Sequence, residues 1–351
     1  MTPSQLTPLY ETHRSFGAKL IDFAGYTLPV WYSSVQAEHR AVRSHCGLFD
    51  ISHMGIIRIT GNQAETLLQK VTCSSTTKAR RGIMTYSMVL SESGGILDDI
   101  MMGQVVENEW IVIVNAANKT RIMAWFCDHN TTNAQIELMT THAMIAVQGP
   151  SSSDCVTQVL GKALTDMPRF AIQKVPYSNA PGYAMRSGYT GEDGFELIVP
   201  ATEASALFTA LIHQGAAPCG LAARDSLRIE AGLPLYGHEL SETLTPLNTR
   251  YAWVVNWKGD FIGKSALVAQ RDAGIDLVTV GLRCKGKQIP RLGATIAGGG
   301  HVTSGTLPPG NEDAVAMALV PSVSAILGTQ LSLQIRNNNV DAIVVSVPFN
   351  K

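Results

Sequence analysis

The chain has 351 residues, of which 45% are hydrophobic and 16% charged; that is the make-up of a folded protein with ample core material and argues against disorder. Its 27 basic and 28 acidic side chains leave a net charge of -1, so nothing pulls the whole molecule toward nucleic acid or an anionic membrane. One hydrophobic core does not usually organise a chain of this length, and two or three domains are expected.

In chain order, residues 37–44 fit a helix that ends through a glycine C-cap at Cys46-Gly47, and residues 48–60 read as one strand with His53 as a packed core histidine. A helix follows at 64–70. Strands at 86–90 and 96–102 are joined by Ser91-Glu-Ser-Gly-Gly95, a loop rich in residues that permit hairpin turns, and 110–115 continues the sheet. Residues 119–129 read as helix, 143–147 as a buried strand, and 152–162 as another helix. This is α+β alternation without a repeated βαβ register, and no G-x-G-x-x-G follows a strand, so a dinucleotide site is disfavoured. Helices are expected at 205–214 and 221–231, the second stopped by Gly232 and Pro234. Beyond about residue 275, short apolar runs broken by Gly, Pro and Asn mark a small antiparallel barrel or sandwich, with the three Asn at 337–339 as a turn.

The six cysteines have no C-x-x-C pairing and no His partner at metal spacing, and the nine histidines show no H-E-x-x-H; reduced thiols and no metal are expected. The N-terminal stretch lacks a basic and an apolar region, and no run approaches the roughly 18 apolar residues of a membrane span. A cytoplasmic protein with no membrane partner is expected.

Three groups of polar residues can carry chemistry. In the run Gly188-Tyr-Thr-Gly-Glu-Asp-Gly-Phe-Glu196, a glycine-rich turn feeds a strand in which Phe195, Leu197 and Val199 share one face. Glu196 therefore shares the other with Ile198, where a partly desolvated carboxylate suits a ligand offering two parallel N–H donors, as a pterin edge does; a salt-bridged Glu at a strand end is the alternative. Asp98 and Asp99 are consecutive in a strand and point to opposite faces, so at most one is catalytic, and a solvated pair is the commoner explanation. Arg224 and Arg228 lie one turn apart on a helix, able to hold a carboxylate or to pair with neighbours such as Asp225 and Glu230.

The ordered series Thr7-Pro-Leu-Tyr10 with His13, Gly47-Leu-Phe-Asp-Ile-Ser-His-Met54, Tyr86-Ser87, Gly94-Gly-Ile-Leu-Asp-Asp99, Val114-Asn-Ala-Ala-Asn118, Ala146-Val-Gln-Gly-Pro150, Gly188 to Glu196, Gly220-Leu-Ala-Ala-Arg-Asp-Ser-Leu-Arg228 and Thr303-Ser-Gly-Thr306 resembles the T-protein family of the glycine cleavage system, over almost the whole length. The resemblance implies an α+β fold in three domains, arranged as a cloverleaf around a central folate channel. Residues 1–50 and 140–245 would form the first domain, 51–139 the second, and 246–351 a C-terminal β-barrel domain. It implies a tetrahydrofolate-dependent aminomethyltransferase acting on the dihydrolipoyl arm of H-protein, with Asp99 catalytic, Glu196 holding the pterin, Arg224 in the folate or substrate site, and Tyr86 and Asn115 lining the same pocket. Other implied readings are a folate-dependent demethylase or one-carbon transferase, and a non-catalytic folate-binding iron–sulfur assembly factor. The latter group carries Lys-Gly-Cys-Tyr, where this chain has Lys258-Gly-Asp-Phe261. Departures from the family pattern fall at Cys73-Ser-Ser-Thr76 and Pro308. Lys78, Arg80 and Arg81 form the densest basic cluster, a candidate docking face for an acidic carrier or simply a solvated face.

Overall fold

The computed structural model describes residues 4–79, 81–131, 133–161, 164, 166–177, 180–336 and 338–350. Arg80 and Asn337 lie outside the described residues, as does the side chain of Lys78, so the basic cluster is not placed; the turn expected over 337–339 is corrected, because Asn338 and Asn339 open the strand Asn338–Val345 and pair with Ile335 and Gln334. The chain divides into two compact units: Met1–Leu67, Thr76–Thr85 and Met101–Asp225 form the first, and Leu68–Ser75, Tyr86–Ile100 and Ser226–Lys351 the second.

The first unit is built on a six-stranded sheet with strand order Ile172–Val175, Gly182–Met185, Gly194–Pro200, His142–Gln148, Gly47–Asp50, Ala217–Pro218. Alternation in Gly194–Pro200 sends Phe195, Leu197 and Val199 into a core shared with Ile145 and Val147 and with Ala204, Leu207, Phe208 and Leu211 of the helix Ala201–His213. Burying each large side chain contributes about 1.5–3 kcal/mol. Pairing with His142–Gln148 sets Glu196 opposite Ala146, on the face away from that core. The preceding glycines have a steric cause: a Cβ at Gly188 or Gly194 would overlap the wholly buried Gln148 side chain. Gln148 in turn holds the turn, donating from Nε2 to the Ser187 carbonyl at 3.0 Å and accepting from the Thr190 hydroxyl at 2.9 Å.

The sequence expectation of a single strand over 48–60 is corrected. Gly47–Asp50 and Gly55–Thr60 belong to different sheets, separated by a turn in which Met54 N–H bonds the Ile51 carbonyl at 3.1 Å. Asp50 forces the break: its buried carboxylate accepts from His13 Nε2 at 2.8 Å, the Thr7 hydroxyl at 2.6 Å and the Ser52 N–H at 2.8 Å. The helix before it runs Val35–Ser44 with His45 as C-cap, so Gly47 opens the strand and caps nothing. The next sheet orders Met84–Leu90, Ile96–Val106, Glu109–Val114, Gly55–Thr60 and Gln135–Leu138.

In the second unit, an antiparallel sheet orders His301–Thr306, Ala314–Pro321, Leu277–Cys284, Asn338–Val345 and Gln330–Ile335. Residues 295–296 bridge both edge strands, Thr295 to His301 and Ile296 to Leu333, which closes the sheet around a core of Leu282, Val302, Ala316, Ala318 and Leu333. This is the barrel expected from the broken apolar runs. The expected hairpin also forms, with strands longer than the alternation suggested. Its turn is tight: a Cβ on Gly95 would overlap the Glu242 carbonyl.

Candidate active site

Glu196, Arg224 and Asn115 belong to the first unit; Tyr86 and Asp99 belong to the second. In the first, the buried carboxylate of Glu38 fixes where the helix Leu221–Glu230 begins. It accepts from Tyr32 N–H at 2.7 Å, Ser33 N–H at 2.9 Å and Gly220 N–H at 2.8 Å. A carboxylate at a helix N-terminus meets unsatisfied donors and a favourable dipole. Four residues past Gly220, the Arg224 guanidinium stacks over the Tyr189 ring at 4.7 Å. Burial pushes Arg224 below its ordinary pKa, while the Glu196 carboxylate and Tyr189 oppose that shift. Glu196 is half-buried, and its Oε2 accepts from the Ser187 hydroxyl at 2.5 Å. One hydroxyl donor leaves a carboxylate capacity for more. Asn115 follows the end of the strand Glu109–Val114, half-buried, its carbonyl accepting from Asn118 N–H at 3.0 Å.

In the second unit the strand pleat separates the two aspartates. Asp98 is 0% exposed and Asp99 half-buried, so the solvated-pair explanation does not hold. The Tyr86 hydroxyl donates to Asp99 Oδ2 at 3.0 Å. Around Tyr86, Tyr251 lies at 5.4 Å between ring centroids and Trp253 at 6.5 Å. Burial and the Asp99 charge push the Tyr251 hydroxyl up to about 12, so it stays protonated and donates to the Gly232 carbonyl at 3.1 Å. Trp253 is 66% exposed, a large apolar surface beside the Tyr86 and Tyr251 rings. Arg228 is wholly buried against Glu239 Oε2 at 2.8 Å, the Ser304 hydroxyl at 2.6 Å and the Leu233 carbonyl at 3.2 Å. Its carboxylate partner is Glu239, a residue sequence reading did not single out.

The structure thus sets the Ser187 hydroxyl on Glu196, whose charge acts on Arg224, and the Tyr86 hydroxyl on Asp99. Sequence reading did not mark Tyr189, Ser187, Tyr251 or Trp253. Tyr189 and Ser187 adjoin or lie within the glycine-rich run and could have been found by asking which neighbours of Glu196 can stack or donate. Tyr251 and Trp253 carry no local signal. Among the described residues no group of three or more His, Cys, Asp or Glu could hold a metal, and no helix is long and apolar enough to cross a membrane. All six cysteines are free, with Cys127 alone exposed.

In the first unit a half-buried carboxylate accepts from one hydroxyl and a buried guanidinium stacks on a tyrosine ring; in the second, a half-buried carboxylate accepts from a tyrosine hydroxyl that sits among aromatic rings. The model of the GCVT N-terminal domain matches residues 9–259, and that of the glycine cleavage T-protein C-terminal barrel domain matches 277–351. The chain is 39% identical to an aminomethyltransferase of Cutibacterium acnes over 100% of both chains, and 38% identical to one of Listeria welshimeri over 100% of this chain and 99% of the other. The crystal structure of the glycine cleavage system aminomethyltransferase T from Bartonella henselae superposes with a TM-score of 0.93 at 33% identity, covering 98% of each chain. The chain belongs to the glycine cleavage T-protein family of aminomethyltransferases.

Proposed function

We propose that this enzyme transfers the aminomethyl carbon from the dihydrolipoyl arm of lipoylated H-protein to tetrahydrofolate, releasing ammonia and forming 5,10-methylenetetrahydrofolate. The family supplies the reaction class; the half-buried Glu196 carboxylate, held by the Ser187 hydroxyl and with its charge acting on the buried Arg224, is the observation that supports folate as acceptor. Glu196 would take the paired N–H donors of the pterin, and Arg224, backed by Tyr189, would complete the site with Asn115 and Tyr86 along the ligand. Asp99 would act as the catalytic carboxylate. An amine nucleophile must approach a methylene while a thiolate and ammonia depart, so positioning carries much of the barrier reduction. A carboxylate next to that amine orients it and stabilises the iminium charge that develops on the transferred carbon as the thiolate and ammonia leave, and the Tyr86 hydroxyl holds Asp99 in place for this. Asp98, enclosed and on the opposite face, would have no part in the chemistry.

The reading extends to a cytoplasmic location and to domains at 1–50 with 140–245, 51–139 and 246–351. Its test is calorimetric. Tetrahydrofolate is expected to bind Glu196→Gln about 1.5–3 kcal/mol more weakly than wild type, because the amide presents a donor where the pterin also donates. Unchanged affinity in a folded variant would remove the anchor from Glu196.

A further inference from the structure

Among the buried nitrogen atoms of the first unit without a hydrogen-bond partner are Nη1 of Arg224 and Nδ1 of His53, and the parallel pairing of Gly47–Asp50 with Ala217–Pro218 leads the chain toward both residues from the same end of adjacent strands. Their chemistry is complementary: a guanidinium nitrogen only donates, and an imidazole nitrogen accepts when the ring proton sits on the other nitrogen. His53 is 4% exposed in the turn after Gly47–Asp50, with its ring edge-on to Phe23 at 5.7 Å. Burial pushes it down to about 4; Arg224 is the strongest charge acting on it, Lys119 adds to the shift, and Asp50 opposes it. The neutral form is the one that can accept from a cation. Of the other charged groups that act on the ring, Asp50 is engaged by His13, Thr7 and Ser52, and Lys119 by the Tyr26 hydroxyl. Neither supplies the missing partner.

We propose that His53 is a positioning residue: its unprotonated Nδ1 accepts a hydrogen bond from Arg224 Nη1 when ligand seats against the guanidinium, fixing the plane of that group over Tyr189. The proposal rests on the reading of Arg224 as a folate-site residue. Closing the pair satisfies a donor and an acceptor that are costly to leave buried and unmade, and it locks one edge of the guanidinium so that the other faces the ligand.

The test is tetrahydrofolate binding to the full chain in a double-mutant cycle. His53→Phe is expected to weaken binding about tenfold, and to add nothing in an Arg224→Leu background. Equal losses in both backgrounds would overturn the coupling, whereas an Arg224→Leu protein with wild-type affinity would overturn the reading of Arg224 on which it rests. His53→Asn, which returns an acceptor near the Nδ1 position, is expected to retain affinity. His53→Gln, whose amide reaches toward the Nε2 position, is expected to lose it, and the opposite ranking contradicts the proposal. Nitrogen NMR of the folate-bound wild-type protein gives a check that needs no variant: a neutral ring protonated at Nε2 supports the pairing, and a proton on Nδ1 overturns it.

Discussion

At the residue scale, burial separates side chains that look equivalent in sequence. Asp98 and Asp99 are adjacent and identical, yet one is enclosed and the other is half-buried under the Tyr86 hydroxyl. Asp99→Asn is expected to lose most turnover while tetrahydrofolate binding is largely kept. Asp98→Asn should instead lower stability, with a much smaller effect on turnover of the folded fraction; steady-state rates set beside denaturation curves would expose the reverse ranking. His53 makes a second residue-level case. Its pKa falls from 6.5 to about 4 on folding, so between those values the unfolded chain binds more protons than the folded one. The stability associated with a neutral His53 is full above pH 6.5 and is lost as pH falls toward 4, by about 3 kcal/mol. Urea unfolding at pH 7 and pH 4.5 should therefore show a shallower acid loss in His53→Phe than in wild type. Alternation made the Glu196 face legible from sequence. The enclosure of Asp98 was not, because strand parity says which faces differ and not which one is covered.

At the element scale, helices and strands with strong local pattern were legible and their ends were not. The helix Ala201–His213 begins four residues before the apolar pattern suggested, directly after Pro200, which cannot donate and so ends the strand. The 48–60 segment reads as one strand by β-propensity, but the buried bonds to Asp50 come from Thr7 and His13, some forty residues away, and no local pattern reports them. The helix Leu221–Glu230 shows the same limit. Arg224 and Arg228 are periodic equivalents, and the partner that makes Arg228 structural, Glu239, lies beyond the helix. Removing one member of a buried pair strands the other charge. Arg228→Ala is expected to lower the unfolding free energy by about 3–5 kcal/mol, and replacing both partners with apolar residues of similar volume, as in Arg228→Met with Glu239→Leu, should recover much of that loss. Chemical denaturation of the two proteins decides it, since equal destabilisation would mean the pair itself, and not the stranded carboxylate, carries the effect.

At the scale of the whole molecule, the family was legible because its motifs are spread through nearly the full chain in a fixed order, and the matches at 9–259 and 277–351 cover the same span. The motif glycines have packing causes, as Gly188 and Gly194 against Gln148 and Gly95 against Glu242 show, so a sequence keeping them keeps the fold. What could not be read was the company each site residue keeps. Tyr251 and Trp253 approach Tyr86 from more than 160 residues downstream, and only folding brings them there. The central claim is a single reaction carried by these groups, and its most direct test follows one carbon. Purified protein is mixed with tetrahydrofolate and H-protein bearing an aminomethylated lipoyl arm, and ammonia and 5,10-methylenetetrahydrofolate are measured together. The expected result is equal amounts of both products, dependent on folate and lost in Asp99→Asn. Ammonia release at the same rate in wild type and Asp99→Asn, or no methylenetetrahydrofolate from the intact enzyme, would contradict the account.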